Sequence, residues 1–129
     1  MTRDEELIAS LRRGYEAYNR GDFERATADW APDIEVRRTG GLGELSGFEA
    51  ARKWLEPEAF EWQRVEPRGY TVNGDLVLVD IVVSGRGKGS GIEVAQEAFQ
   101  VWTFDDEGRT QRMEIFFDRD EALAAAGLA

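Results

Sequence analysis

The chain has 129 residues, and its 26 acidic and 16 basic side chains give a formal net charge of −10. This size fits one domain, residues 1–129, and the charge argues against nucleic acid or an anionic membrane as a partner. The absence of cysteine and histidine excludes disulfides, thiolate chemistry, Ser-His-Asp triads and most zinc sites. The charged N-terminal segment and the lack of a long apolar run predict a cytoplasmic protein.

The N-terminal segment predicts a helix that runs to about residue 19. Thr2 and Glu5 form a capping box, and apolar residues including Leu7, Leu11 and Tyr18 recur at helical spacing after it. We therefore expect this helix to present one apolar face to the core.

A second, shorter helix is predicted after Gly21. Asp22 can cap it, and Phe23, Ala26 and Trp30 would share one face. The sequence Ala-Pro-Asp that follows breaks a helix, so this helix is expected to end at about Trp30.

A strand, a loop and a third helix are predicted next. Residues 34–38 alternate like a strand, and the glycine-rich stretch TGGLGELSG reads as a loop. Ser46 and Glu49 form a second capping box, which predicts a helix that carries Trp54.

The second half of the chain has the pattern of antiparallel strands followed by a short helix. The strands are predicted over residues 64–73, 76–83, 93–104 and 110–117. Asp118 can cap the last helix and Gly127 can end it. The loop GRGKGSG joins two strands and lacks a Ser or Thr after its lysine, so it is not a phosphate-binding loop. This order predicts an α+β fold with the helices on one face of a sheet.

The last two long strands carry large apolar groups on both faces. A four-residue hairpin loop would place Phe104 opposite Arg109. One face then carries Gln96, Ala98, Gln100, Trp102, Gln111, Met113, Ile115 and Phe117, and the other carries Glu97, Phe99, Val101, Thr103, Arg112, Glu114 and Phe116. Because neither face looks solvent-exposed, we expect the helices to cover one face and a second copy of the chain to cover the other.

Four segments in this order resemble the SnoaL-like branch of the nuclear transport factor 2-like superfamily: YEAYNRGDFERATADWAPDIEV, SGFEAARKW, FQVWTFDDEGRTQRMEIFFD and DRDEALAAAGL. The resemblance implies a strongly curved antiparallel sheet that forms a cone, with N-terminal helices that close a pocket. It also implies a homodimer through the outer face of the sheet. Relatives include ketosteroid isomerases, dehydratases, polyketide cyclases, epoxide hydrolases and domains without catalytic activity, so the fold does not decide the function.

The catalytic residues of two related families are missing at the matching positions. Where ketosteroid isomerases have a tyrosine and two acids, this chain has Gly14, Arg38 and Gln100. Where SnoaL-type cyclases have an aspartate on the last strand, it has Ile115. Any activity would therefore depend on other residues.

Asp80 is the charged residue within the aliphatic run LVLVDIVV. Matching the faces to the related families turns Leu78, Asp80 and Val82 into the pocket, where apolar walls would raise the pKa of Asp80 and suit it to proton transfer. The alternative is a structural carboxylate paired with an arginine, for which Arg38 is the expected partner. Gln100 would polarise a carbonyl or stabilise an oxyanion, and the alternative is that it fills space and hydrogen-bonds a neighbour.

These residues predict a cofactor-free, metal-free isomerase, cyclase or dehydratase that acts on a hydrophobic carbonyl-bearing or cyclic molecule. Its catalytic residues would be Asp80, Arg38 and Gln100. The residues predicted to bind the substrate are Tyr18, Trp30, Trp54, Trp62, Trp102, Met113 and Ile115. The alternative is a non-catalytic domain that binds a ligand or only dimerises.

Overall fold

The computed structural model describes residues 1–38, 43–56 and 60–129, with the backbone alone at positions 38 and 43. The helices are α1 Arg3–Asn19, α2 Phe23–Ala26, α3 Phe48–Trp54 and α4 Arg119–Ala125. The strands are β1 Trp30–Arg38, β2 Gly43–Ser46, β3 Phe60–Asn73, β4 Leu76–Gly87, β5 Glu93–Phe104 and β6 Thr110–Phe116. Within these ranges no helix is long and apolar enough to span a bilayer.

The six strands form one curved, open sheet in the order β2-β1-β6-β5-β4-β3. The α+β fold class and the curved sheet with N-terminal helices are therefore confirmed. One pairing differs from the predicted antiparallel arrangement, because β1 runs parallel to β6. Residues 43–46 of the predicted loop form the short edge strand β2, which pairs with β1, and residues 39–42 of that loop lie outside the described part of the chain.

The first helix begins as predicted, because the Thr2 hydroxyl accepts a hydrogen bond from the Glu5 backbone N–H at 3.2 Å. Asp22 likewise caps α2 through the backbone N–H of Arg25. However, α2 ends at Ala26, and Trp30 starts β1 instead of belonging to the helix. Trp30 belongs to the strand because it pairs with Thr110 of β6.

The second predicted capping box is wrong. Ser46 is the last residue of β2, and α3 has Gly47 at its N-cap with no side-chain cap. Gly47 has a φ of +91°, which glycine adopts without steric cost. The sharp turn from β2 into α3 therefore depends on this glycine. At the other end of the chain, Asp118 caps α4 as predicted.

Apolar residues pack on both faces of the sheet. The inner cluster joins α1 and α3 to the sheet through residues such as Leu11, Ala51 and Trp102. The outer cluster places α4 against Leu78 and Val101. Helix α4 thus covers part of the face for which we predicted a second subunit.

The predicted faces of β5 and β6 are confirmed, although the pairing differs. Phe104 pairs with Thr110 instead of Arg109, and Trp102 then pairs with Met113 after a register shift. The longer loop and the shift each displace the pairing by one residue. Because side chains alternate with a period of two, the two displacements together leave the residues paired beyond the shift, Phe99 to Thr103 and Arg112 to Phe116, on their predicted faces.

The predicted face of β4 is wrong. Leu78 packs in the outer cluster and Asp80 is on the same face, whereas the inner core contains Val77, Val79 and Ile81. Both faces of this strand are covered, so nearly every position is aliphatic and the sequence has no alternation from which a face can be assigned.

Asp80 therefore lies outside the cone. Its carboxylate is 3.5 Å from the guanidinium of Arg119, the first residue of α4, and the two side chains are 39% and 59% exposed. The arginine partner foreseen in the structural alternative is thus Arg119 and not Arg38. The side chain of Arg38 lies outside the described part of the chain.

Candidate functional site

A cavity of about 620 Å³ lies between the inner face of the sheet and the helices. Its volume is within the usual range of small-molecule sites. Helices α1 and α2 and the strands β3 to β6 all contribute to its wall. The apolar and aromatic residues of the wall are Leu11, Tyr15, Ala17, Tyr18, Ala26, Ala28, Trp30, Trp54, Leu55, Val65, Val83, Trp102, Met113 and Ile115.

Most of the residues predicted for the site line this cavity: Tyr18, Trp30, Trp54, Gln100, Trp102, Met113 and Ile115. Their role in binding a substrate stays a prediction. Trp62 does not line the cavity; it is 38% exposed. Its neighbour Gln63 faces the cavity, and alternation along β3 therefore turns Trp62 to the other side.

Three side chains form a hydrogen-bonded chain in the buried part of the cavity. The indole Nε1 of Trp102 donates to the Tyr15 hydroxyl at 3.0 Å, and that hydroxyl donates to Oε1 of Gln100 at 2.5 Å. Trp102 can only donate, so the Tyr15 oxygen accepts from it and is left with its own proton for Gln100. This arrangement joins α1 to β5 across the core.

Gln100 is only 7% exposed, yet its amide group keeps capacity for a further bond. Its Oε1 is occupied by Tyr15, and no acceptor among the described residues takes a bond from its Nε2. Because Gln100 lines the cavity, its amide N–H groups are the polar donors best placed to meet a bound molecule.

Tyr15 stays protonated under ordinary conditions. Burial raises its pKa well above the usual value, and the hydrogen bond from Trp102 opposes this only in part. The hydroxyl is therefore a neutral donor and not a base. Tyr15 was not predicted as a site residue, because its spacing from Leu11 and Leu7 is that of one more core position of the first helix.

A second polar pair lies in the cavity wall at the C-terminal end of α1. The Tyr18 hydroxyl donates to Oε1 of Gln63 at 3.2 Å, and burial raises the pKa of Tyr18. Asn19 fixes this end of the helix to β3, because its side-chain amide bonds both the N–H and the carbonyl of Val65. Gln63 was not predicted as a site residue, because the strand was predicted to begin at residue 64. Had the strand been predicted from Phe60, its alternation would have placed Gln63 on the same face as Val65.

Charged residues of the lining come from the helices and the segment before β1. They are Arg13, Glu16, Arg20, Arg25 and Asp29. Asp29 accepts a hydrogen bond from the Ser10 hydroxyl at 2.8 Å and lies 3.5 Å from the Arg13 guanidinium. Arg13, Arg20 and Arg25 are exposed, so this side of the cavity is its mouth. In the three described ranges, acidic side chains do not cluster into a potential metal site.

The model of the SnoaL-like domain matches residues 11–113, which is most of the chain. The chain belongs to the SnoaL-like family. The matched region of this SnoaL-like chain contains both strands and helices that build the cavity, including Tyr15, Gln100 and Trp102. None of the curated proteins compared with it matches.

Solved structures share the fold of this SnoaL-like chain. SalBIII, an epoxide hydrolase/cyclase-like enzyme of pyran ring formation in salinomycin, is 18% identical with a TM-score of 0.80, over 92% of this chain and 96% of its own. A putative polyketide cyclase from Xanthomonas campestris pv. campestris is 21% identical (TM-score 0.76; 97% and 99% covered). RV0760c from Mycobacterium tuberculosis, solved with estradiol-17beta-hemisuccinate, is 15% identical (TM-score 0.73; 88% and 95% covered).

Proposed function

We propose that this chain binds an apolar, ring-containing small molecule with a carbonyl or similar oxygen, and that Gln100 donates a hydrogen bond to that oxygen. One structural feature supports this proposal. An aromatic cavity of about 620 Å³ contains a buried amide whose oxygen is held by Tyr15, which leaves its N–H groups for a ligand.

The energetics favour such a ligand over a purely apolar one. A donor that an apolar ligand shields from water without offering it a partner costs about 1–3 kcal/mol, so a ligand oxygen that accepts from Gln100 avoids this cost. Flat side chains such as Trp30, Trp54 and Trp102 suit the faces of a ring system. That a structural relative was solved with estradiol-17beta-hemisuccinate supports an organic ligand of this size class.

Binding without turnover is favoured over the predicted proton-transfer reaction. An isomerase, cyclase or dehydratase of the predicted kind needs a base beside the substrate, and Asp80 is on the outer face, paired with Arg119. The two carboxylates of the cavity lining, Glu16 and Asp29, belong to its mouth, and Asp29 is already bonded by Ser10. Gln100 and Tyr15 supply donors but no base.

The proposal is tested with two ligands of one skeleton, 9-fluorenone and fluorene, which differ by a carbonyl oxygen. Binding is measured by quenching of tryptophan fluorescence and by calorimetry. We expect fluorenone to bind more tightly, and Gln100→Leu to reduce the difference by up to about tenfold, since one hydrogen bond contributes about 0.5–1.5 kcal/mol.

Gln96→Leu is the matched control. Gln96 is an exposed residue of the same strand and face that does not line the cavity, so its substitution should leave both affinities unchanged. Failure of 9-fluorenone to bind would contradict the proposal. If 9-fluorenone and fluorene bind equally well and Gln100→Leu changes neither affinity, Gln100 does not bind the ligand oxygen.

We also propose that the chain forms a homodimer through the part of the outer face that α4 does not cover, and that it is cytoplasmic. Trp62, which alternation along β3 turns away from the cavity and onto the outer face, is 38% exposed, which supports an apolar contact there. Light scattering coupled to gel filtration distinguishes a monomer from a dimer.

A further inference from the structure

The mouth of the cavity differs in charge from the rest of the molecule. The whole chain has 16 basic and 26 acidic side chains. In the cavity lining, however, the arginines Arg13, Arg20 and Arg25 outnumber the acids Glu16 and Asp29. Positive charge is therefore concentrated where a ligand would enter.

The contacts of these residues leave Arg20 available. Arg13 lies 3.5 Å from Asp29, so these two charges offset each other. Arg25 lies 3.5 Å from Asp22 in an exposed pair, and such pairs are weak. Arg20 forms no ion pair with any described carboxylate, and its contact with Glu16, one turn earlier on α1, is a backbone hydrogen bond to the Glu16 carbonyl oxygen at 3.2 Å.

We propose that the mouth of the cavity is an oxyanion subsite, where Arg20, assisted by Arg25, binds a carboxylate, sulfonate or phosphate of an amphipathic ligand. This inference rests on the proposed function, since the ring system of the ligand would occupy the cavity. The ligand class is thereby narrowed to organic anions with an apolar body.

The chemistry of the two ends of the site fits such a molecule. Inside, Gln100 offers neutral donors among aromatic walls. At the mouth, a guanidinium offers a planar pair of N–H donors that matches the oxygens of an anionic group. The net negative charge of the chain does not prevent this, because salt screens charges more than about 8 Å away at physiological ionic strength.

The test uses two fluorescent probes with the same rings. 8-Anilino-1-naphthalenesulfonate carries a sulfonate, and N-phenyl-1-naphthylamine lacks it. We expect Arg20→Gln to weaken binding of the sulfonate probe by up to about fivefold, the upper end for an exposed charge contact, and to leave the neutral probe unchanged. Competition by 9-fluorenone identifies the signal that comes from the cavity.

Arg64→Gln is the matched control, because Arg64 is exposed on the opposite face of β3 from Gln63. It makes the same change in net charge and should affect neither probe. If Arg64→Gln weakens the sulfonate probe as much as Arg20→Gln does, the effect is one of overall charge and the subsite is refuted.

The remaining outcomes separate the subsite from the proposed function. If the neutral probe binds in the cavity and Arg20→Gln leaves the sulfonate probe unchanged, the subsite is refuted while the proposed function stands. A lowered Tm of Arg20→Gln with unchanged affinities would assign Arg20 to the C-terminal end of α1 only. If neither probe nor fluorenone binds, both proposals fail.

Discussion

Gln100 and Asp80 are polar residues on neighbouring strands, but they lie on opposite faces of the sheet and differ in burial. Gln100 is buried on the inner face, where Tyr15 satisfies its oxygen. Asp80 is on the outer face, half exposed beside Arg119. A neutral amide can be buried with one or two hydrogen bonds, whereas a carboxylate loses several kcal/mol unless it keeps water or a cation.

This family member keeps polar groups inside an apolar cone by keeping them uncharged. A polar group enters the cavity only when it is uncharged and partly satisfied by its neighbours. Tyr15, whose pKa is raised by burial, follows the same pattern, because it stays neutral. The charges of the site are confined to its mouth.

The strongest challenge to this contrast is to place a charge on the inner face. Val79 is fully buried beside Asp80, so Val79→Asp should lower the free energy of unfolding by about 4 kcal/mol or more through an unpaired buried carboxylate. Val79→Ala removes more side-chain volume but adds no charge, and it should cost about 2 kcal/mol. Urea denaturation measures both, and equal losses would refute the argument from charge.

The neutrality of Tyr15 predicts a dependence on alkaline pH. Its folded pKa is raised above the ordinary value of about 10, so its contribution to stability is fully present below pH 10. That contribution is lost above it, as the unfolded chain ionises first. The stability advantage of the native chain over Tyr15→Phe should fall by about 1.4 kcal/mol per pH unit above pH 10. Urea titrations from pH 8 to 11 measure it, and a constant difference would contradict the prediction.

The smallest effect is expected at Asp80 itself. Asp80→Asn removes an exposed ion pair with Arg119, and such pairs contribute about 0–1 kcal/mol, so stability should change by less than about 1 kcal/mol. Arg119→Gln should change the free energy of unfolding by a similar amount. Affinity for 9-fluorenone should not change, and a loss of ligand binding in Asp80→Asn would show that this carboxylate reaches the cavity after all.

Much of the fold was predictable because its signals are local. The capping residues Thr2, Asp22 and Asp118 act within one helical turn, and the structure confirms all three. The sets of residues that share a face of β5 and β6 were also predictable, because side chains alternate along a strand with a period of two. The faces of β4 were not predictable, because both of its faces are covered. The inner core packs on one face, and α4 packs on the other.

The sequence by itself determined the α+β class, the helix starts and the supply of neutral polar and aromatic side chains for a cavity, because each depends on residues near one another in the chain. Only the tertiary structure decided which polar group enters the cone. That choice depends on contacts between distant segments: Tyr15 of α1 reaches Gln100 of β5, and Arg119 of α4 holds Asp80 of β4 outside.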